Sequence, residues 1–226
     1  MNYNIEKMPL SINIDGANKN IKDDVKKKIF DSQKGRCLSC KVKMDIDAHY
    51  QIIGDNIVSL CSLCYYPLNL NEVTTGKDSI ILIPEISQLE LNALQRALEI
   101  TRFHIESTTK LIEEGKKVGE TYEIEELKAT VDIINIILKE RADFTDTYYS
   151  VGSSDVDIVA SGLQKLKKEE YEKRAVGLYG LRLFHDMSKY QDQLKIWAVD
   201  YNKYRFDNWR KLITETVKKM NRTKMK

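Results

Sequence analysis

Two cysteine pairs constrain the fold of this chain more than any other feature of its 226 residues. They read Cys37-x-x-Cys40 and Cys61-x-x-Cys64, and they contain every cysteine of the sequence. Each pair can present two thiolates from one tight turn, and a tetrahedral Zn²⁺ ion needs four such ligands. The spacing therefore predicts a zinc site formed by all four cysteines. Because such a site leaves no open coordination position, the zinc is expected to be structural.

The sequence also favours metal over disulfide bonds. No apolar run reaches the roughly 18–20 residues of a membrane-spanning helix, and the N-terminus, MNYNIEKMPLSINIDG, lacks the pattern of a secretory signal. We therefore expect a cytoplasmic protein, whose thiols stay reduced. The alternative, four free or disulfide-bonded cysteines, fits the tandem spacing less well.

Charge is distributed unevenly along the chain. The formal net charge of +2 is too close to zero to indicate nucleic-acid binding by the whole protein. From Lys203 to Lys226, however, nine basic residues are opposed by two acidic ones. We interpret this end as a solvated basic tail, and docking on an acidic partner or an anionic membrane surface stays an alternative.

The cysteine pairs lie within a small predicted module at residues 17–75. An amphipathic pattern predicts a helix from Ile21 to Phe30, directly before the first pair. Residues 43–53 fit a strand or an irregular loop, and a short helix limited by Pro67 is expected from Cys61 onward. Helix, knuckle, hairpin, knuckle and helix is the plan of a treble-clef or ββα-metal module.

From residue 76 onward the sequence predicts one strand followed by helices. The strand is the β-branched run between Asp78 and Pro84. Ser87 and Glu90 form a capping box at the start of a long helix that ends near Gly115. Later helices are recognised by apolar residues at helical spacing, and a glycine-interrupted stretch (170–186) is left unassigned. These helices are expected at residues 123–144, at 156–168 with Asp155 as N-cap, and around Trp197.

These patterns indicate an α+β protein that is mainly α. In the N-terminal extension, Leu10, Ile12 and Ile14 alternate and suggest one short strand. The expected parts are the extension (1–16), the zinc module (17–75), a strand with a helical domain (76–210) and a basic C-terminal tail (211–226).

The zinc module resembles that of HNH nucleases but differs in two respects, and one of them is that the span between its cysteine pairs is short for an active site of this type. In those enzymes a metal-binding histidine commonly follows the last cysteine, whereas this chain reads Cys64-Tyr65-Tyr66. His49 lies where the general base would be, and Asn56 lies where the asparagine that holds the active-site loop would be. Because tyrosine cannot replace a neutral imidazole as a metal ligand, we expect the zinc to be kept and catalysis to be absent.

All three histidines are therefore interpreted as non-catalytic. His49 is expected in a loop, and His104 and His185 are expected on a helix surface or at the edge of the core. Two alternatives stay open: a divergent HNH endonuclease with His49 as its base, and a zinc-dependent nucleic-acid binder that uses the basic tail.

Short motifs in the expected order resemble the DotN (IcmJ) family of Dot/Icm type IVB secretion systems. Neither the first fifteen residues nor the lysine-rich tail shares the resemblance. Besides the zinc module, the motifs are Ile81-Leu-Ile-Pro-Glu-Ile-Ser-Gln-Leu-Glu-Leu-Asn92, Arg141-Ala-Asp-Phe144, Val151-Gly-Ser-Ser-Asp155, Gly180-Leu-Arg-Leu-Phe184, Trp197-Ala198 and Trp209-Arg-Lys211.

This resemblance implies a non-enzymatic subunit of a coupling complex at the cytoplasmic face of the bacterial inner membrane. Proteins of the family bind an extended C-terminal segment of the coupling ATPase, DotL, which also carries the chaperone adaptors of effectors. For this chain it implies a DotL-like partner, further coupling-complex subunits and chaperone adaptors. It also implies no nucleic-acid ligand, and membrane association only through partners.

Overall fold

A computed structural model describes residues 8–14, 16–45, 48–73, 76–116, 121–150 and 152–201, together with positions 214, 215 and 218. These residues are mainly helical and include two small two-stranded sheets, which confirms the prediction of an α+β protein that is mainly α. In the ranges described, no helix combines the length and apolar character needed to cross a membrane.

Three of the strands in the described residues lie in the first half of the chain, and helices dominate the second half. Short 3₁₀ turns connect several of them, at Ala17–Asn20, Tyr66–Leu68, Leu70–Glu72 and Met187–Tyr190. The main elements are α1 (Asp23–Ser32), β1 (Ala48–Ile53), β2 (Asn56–Cys61), α2 (Ser62–Tyr65), β3 (Ser79–Leu82), α3 (Gln88–Glu113), α4 (Thr121–Tyr148), α5 (Val156–Lys165), α6 (Lys168–Glu172), α7 (Arg174–Gly177), β4 (Leu181–Phe184) and α8 (Gln191–Tyr201).

The first sheet is an antiparallel hairpin of β1 and β2. Its register runs from the pair Ile53 and Asn56 at the turn to the pair Ala48 and Cys61 at the open end. Of the predicted segment 43–53, only the second half forms this strand. Cys61, the last residue of the hairpin, therefore directly precedes α2.

The prediction of a strand in the N-terminal extension is wrong for the residues described. Leu10 and Ile12 are buried as their alternation suggested, but Ile14 is exposed. The backbone of Ser11 instead pairs with the turn after α2, donating to the carbonyl of Pro67 and accepting from the N–H of Leu70. This segment is held by a loop rather than by a neighbouring strand.

The second sheet pairs β3 with β4, so the predicted strand has a partner that the sequence did not indicate. The two strands are antiparallel, with Ser79 opposite Phe184 and Leu82 opposite Leu181. β4 falls in the stretch 170–186 that its glycines left unassigned. Gly180 supplies the positive φ of 78° at the entry to the strand, a conformation that glycine adopts without steric cost.

Local helix signals are confirmed at both ends of α3. Ser87 accepts a hydrogen bond from the N–H of Glu90, whose carboxylate accepts one from the N–H of Ser87. At the other end Gly115 has a φ of +68° and closes the last turn. Asp155 caps α5 as predicted, although this helix ends at Lys165 and a short separate helix follows.

The cysteine region and the helical region share one hydrophobic core. The buried cluster around the cysteines includes Leu60 and Leu63 from the hairpin and α2. It also includes Ile100 from α3 and both Leu194 and Trp197 from α8. The core therefore crosses the boundary that the sequence suggested at residue 75.

Candidate metal centre

The first cysteine pair lies in a tight turn between Arg36 and Lys43, which form an isolated β-bridge. Cys37 donates its N–H to the carbonyl of Val42 and accepts from the N–H of Lys41. Lys41 adopts a left-handed conformation, with a φ of 61°, and this reverses the chain directly after Cys40. The turn therefore directs both thiols of the pair to the same side.

The second cysteine pair spans the junction of the hairpin and α2. Cys61 is the last residue of β2 and the N-cap of the helix, and Cys64 follows within the helix. The N–H of Leu38 donates to the carbonyl of Ser59 and attaches the first turn to β2. Both pairs are fixed to each other through backbone contacts.

The four sulfur atoms converge on one point. All four Sγ atoms lie within 4.8 Å of one another, and those of Cys40 and Cys61 are 3.6 Å apart. A tetrahedral ion with metal–sulfur bonds of about 2.3 Å requires sulfur–sulfur distances of about 3.8 Å. Cys37 and Cys61 have no solvent exposure. The structure thus brings together the four cysteines that the sequence indicated, in an arrangement that could hold a structural metal ion.

The thiols influence one another strongly in this cluster. Hydrogen bonds from the other three thiols lower the pKa of Cys40 well below its ordinary value, and the charge of Arg96 lowers it further. Hydrogen bonding to the other cysteines and burial raise the pKa of Cys61 well above its ordinary value. A metal ion binds thiolates, so its binding would release the remaining protons.

Two polar residues of α3 contact the cysteine cluster, and neither was predicted from the sequence as part of the site. The Nη2 atom of Arg96 lies 3.5 Å from Cys40 Sγ. The side-chain amide of Asn92 donates to the carbonyl of Leu63 at 2.5 Å and lies 3.8 Å from Cys64 Sγ. A signal was present, because Gln88, Asn92 and Arg96 are spaced four residues apart and form a polar stripe beside the leucines.

His49 lies in β1, so the prediction of a loop histidine is wrong. Its ring stacks on Tyr65 and meets the edge of Tyr66, and its Nε2 is 3.0 Å from the hydroxyl of Ser62. Burial lowers the pKa of His49, and the charge of Glu72 opposes this effect only in part. The surroundings of His49 therefore favour the uncharged imidazole.

Side-chain amides form a partly buried polar network next to this histidine. Gln51 Oε1 accepts from Asn69 Nδ2 at 2.6 Å and from Asn18 Nδ2 at 3.0 Å. Asn18 Oδ1 in turn accepts from the N–H of Ile52, and Asn69 donates to the carbonyl of Tyr65. The network joins the N-terminal turn, the hairpin and α2.

The other two histidines differ in their surroundings. His104 is exposed on α3, as predicted. His185 is not helical, which corrects the second prediction: it directly follows β4 and is buried. Its Nε2 lies 3.2 Å from the carbonyl of Leu63, and burial lowers the pKa of His185 to about 4.

The predicted basic tail lies outside the described residues, apart from positions 214, 215 and 218. Within the described ranges, the four cysteines are the group of metal-binding side chains that the fold assembles. Four sulfur ligands complete the coordination of a tetrahedral ion, so such a centre can stabilise a fold but cannot activate water.

No protein-family model matches the chain, and no curated protein matches it. The interpretation of the centre therefore rests on its own residues and on the elements that position them.

Proposed function

We propose that Cys37, Cys40, Cys61 and Cys64 bind a structural Zn²⁺ ion in an HNH-like ββα module. Four thiolates in tetrahedral proximity are a donor set typical of zinc in proteins. The order of elements supports the HNH-like assignment, because a hairpin runs directly into a short helix and the second pair lies at their junction. The bound ion would hold the first turn, β2 and α2 together.

We propose further that this module has no catalytic activity. The observation that carries this proposal is the environment of Tyr65, which stands where HNH nucleases commonly place a metal-binding histidine. Its hydroxyl donates to Glu72 Oε2 at 2.8 Å, and its ring covers one face of His49. The Tyr65 hydroxyl is thus engaged in a hydrogen bond and the His49 ring in packing, which favours a structural role for both residues.

The function that fits such a module is assembly of a larger complex. We propose a subunit of a type IVB secretion coupling complex at the cytoplasmic face of the inner membrane. In this role it binds an extended C-terminal segment of a DotL-like coupling ATPase, and it supports the recruitment of effectors by other subunits and chaperone adaptors. This proposal is based on the resemblance of the sequence motifs to the DotN family.

The positions of three resembling motifs within the described residues are consistent with one structural unit. The motif that begins at Ile81 contains part of β3, and the motif that begins at Gly180 contains β4, its partner strand. Arg141, from a third motif, donates to the carbonyl of Leu82 and pairs with Glu85 at 3.1 Å. These three motifs are therefore in contact with one another, as expected for features that maintain a common framework.

Co-purification tests the assembly role. The full chain, carrying an affinity tag, is isolated from the cells that produce it, and its partners are identified by mass spectrometry. A coupling ATPase is expected in stoichiometric amount, and the purified chain is expected to bind a peptide of the ATPase's C-terminal segment. Isolation as a free monomer that does not bind this peptide would overturn the proposal.

A nuclease assay tests the absence of catalysis. Purified protein and its His49→Ala variant are incubated with plasmid DNA and Mg²⁺, Mn²⁺ or Ni²⁺, and neither is expected to cleave. Cleavage that His49→Ala abolishes would support the endonuclease alternative instead. DNA affinity that falls steeply with salt would support a nucleic-acid binder, because phosphate contacts release counterions.

A further inference from the structure

We propose that Arg96 is a positioning residue of the metal centre. In this role its guanidinium offsets the negative charge of the metal–thiolate cluster and links the cluster to Trp197 of α8. The inference rests on the proposed zinc centre and adds to it a residue outside the cysteine motifs. Its basis is the location of a cation that is almost completely buried.

Arg96 lies between the cysteines and α8. The residue is 2% exposed, although it carries a charge. On one side its Nη2 is 3.5 Å from Cys40 Sγ. On the other side its Cζ lies 5.1 Å from the centre of the Trp197 ring, which has no solvent exposure. The guanidinium therefore contacts both the metal centre and α8.

The charge of the centre explains why a buried cation is stabilised here. Four thiolates and one divalent cation leave a formal charge of −2 in a region from which water is largely excluded. Burying unbalanced charge is costly, and a neighbouring positive charge reduces this cost. Arginine suits the position because it stays charged and its planar group can stack on an aromatic ring while it donates to sulfur.

Trp197 extends the effect of the metal beyond the module. It belongs to the same buried cluster as Cys37, Cys61 and Cys64 and is supplied by α8. The guanidinium contacts the thiolates on one side and the indole of Trp197 on the other. The packing of α8 therefore depends on the metal centre. The metal would thereby stabilise a helix whose Trp197 lies 133 positions after Cys64 in the sequence.

Metal affinity of the full chain tests the role of Arg96. Wild type and Arg96→Met are loaded with Zn²⁺ or Co²⁺, and the ion is withdrawn with a chromophoric chelator. Arg96→Met is expected to bind about 10–100-fold more weakly, the usual effect of removing a residue that supports metal ligands. Arg102→Met is the matched control on the same helix, because Arg102 is partly exposed and pairs with Glu99 and Asp132. Its affinity is expected to equal that of wild type.

Two further variants separate charge from packing. Arg96→Lys keeps the charge and is expected to retain most of the affinity, whereas Arg96→Gln is neutral and is expected to behave like Arg96→Met. Arg96→Gln also allows the comparison if Arg96→Met does not fold. With Trp209 replaced by Phe in all proteins, the emission of Trp197 is expected to shift to longer wavelength on metal removal.

The outcomes distinguish this inference from the zinc proposal. Wild type that binds no metal would overturn the zinc centre, and the role of Arg96 with it. Wild type that binds metal while the two neutral variants bind it equally well would overturn only the role of Arg96. A lysine variant as weak as the neutral ones would also overturn it, because charge would then not be the cause.

Discussion

The imidazole of His49 stacks on the phenol ring of Tyr65, with ring centroids 4.5 Å apart and ring planes inclined by 15°. The hydroxyl of Tyr65 donates to one carboxylate oxygen of Glu72, and the other oxygen accepts from Asn13 at 2.7 Å. Burial and the bond to Glu72 raise the pKa of Tyr65 far above its ordinary range. The phenol therefore stays protonated and joins β1, α2 and the N-terminal segment.

Replacing Tyr65 with Phe should destabilise the fold without removing the metal. The substitution keeps the ring on His49 but leaves the partly buried Glu72 without this donor, at a cost of about 1–2 kcal/mol. The free energy of unfolding, measured with urea, should fall by this amount, while the metal content stays at one ion per chain. Tyr179→Phe is the control, since that ring is exposed. Equal midpoints for the two variants would contradict the structural role of the hydroxyl.

Loss of one cysteine ligand should abolish metal binding and destabilise more than the module. In Cys61→Ser, the free energy of unfolding should fall by more than about 3 kcal/mol, because the metal contributes directly to folding. The cysteines share their core with residues of α3 and α8, so both helices should lose stability too. Native mass spectrometry gives the metal content, and far-UV circular dichroism follows the helices during urea unfolding.

Ser39→Ala provides the control for this experiment. Ser39 lies in the turn of the first pair, between Cys37 and Cys40, but contributes no thiol. Its substitution should leave the metal content and the unfolding midpoint unchanged. A wild-type protein that unfolds at the same urea concentration after complete metal removal would disprove a stabilising metal.

The stability of the protein should fall in acid because of His185. Burial lowers the pKa of this histidine to about 4, against about 6.5 in the unfolded chain. Below pH 6.5 the unfolded chain takes up the proton more readily than the folded protein. The histidine therefore stabilises the fold fully above pH 6.5, and this contribution of roughly 3 kcal/mol is lost as the pH falls towards 4.

His185→Gln isolates this effect from acid release of the metal. Glutamine can keep a donor towards the carbonyl of Leu63 but does not titrate. Urea unfolding between pH 7 and pH 4 should show a loss in wild type that exceeds the loss in His185→Gln by roughly 3 kcal/mol. His104→Gln, on the exposed face of α3, should behave like wild type. Parallel pH profiles for all three proteins would rule out the contribution of His185.

Features that depend on neighbouring residues were predictable from the sequence. The capping box of Ser87 and Glu90 and the N-cap at Asp155 each require residues only two or three positions apart, and both are present. The two cysteine pairs are also local signals, because the ligand spacing within each pair determines its turn. The hairpin between the pairs then brings their four sulfur atoms together.

Features that depend on distant contacts were not predictable in the same way. β4 is a strand because it pairs with β3, whose Ser79 lies opposite Phe184. The two glycines that precede β4, Gly177 and Gly180, are typical of a loop. Ile12 is buried, yet the backbone around it is paired by a loop rather than by a strand. Arg96 belongs to a polar stripe of α3, but only the packing of α3 on the cysteines determines that this stripe contacts them. In each case the contacting residue is distant in the sequence, so the contact forms only once the chain has folded.

Gly180 gives the sharpest test of the β3–β4 pairing. A Cβ atom at this position would lie 2.9 Å from Leu82 Cδ1 and 3.3 Å from Pro84 Cα, and the φ of +78° is unfavourable for other residues. Gly180→Ala should therefore lower the free energy of unfolding by about 2–4 kcal/mol, from backbone strain and overpacking together. Gly162→Ala is the matched control, since a Cβ there meets no atom within 4 Å, and helix propensity should make it about 0.5–1 kcal/mol more stable. If urea unfolding showed both variants to be equally stable, β4 could not approach β3 in the register described.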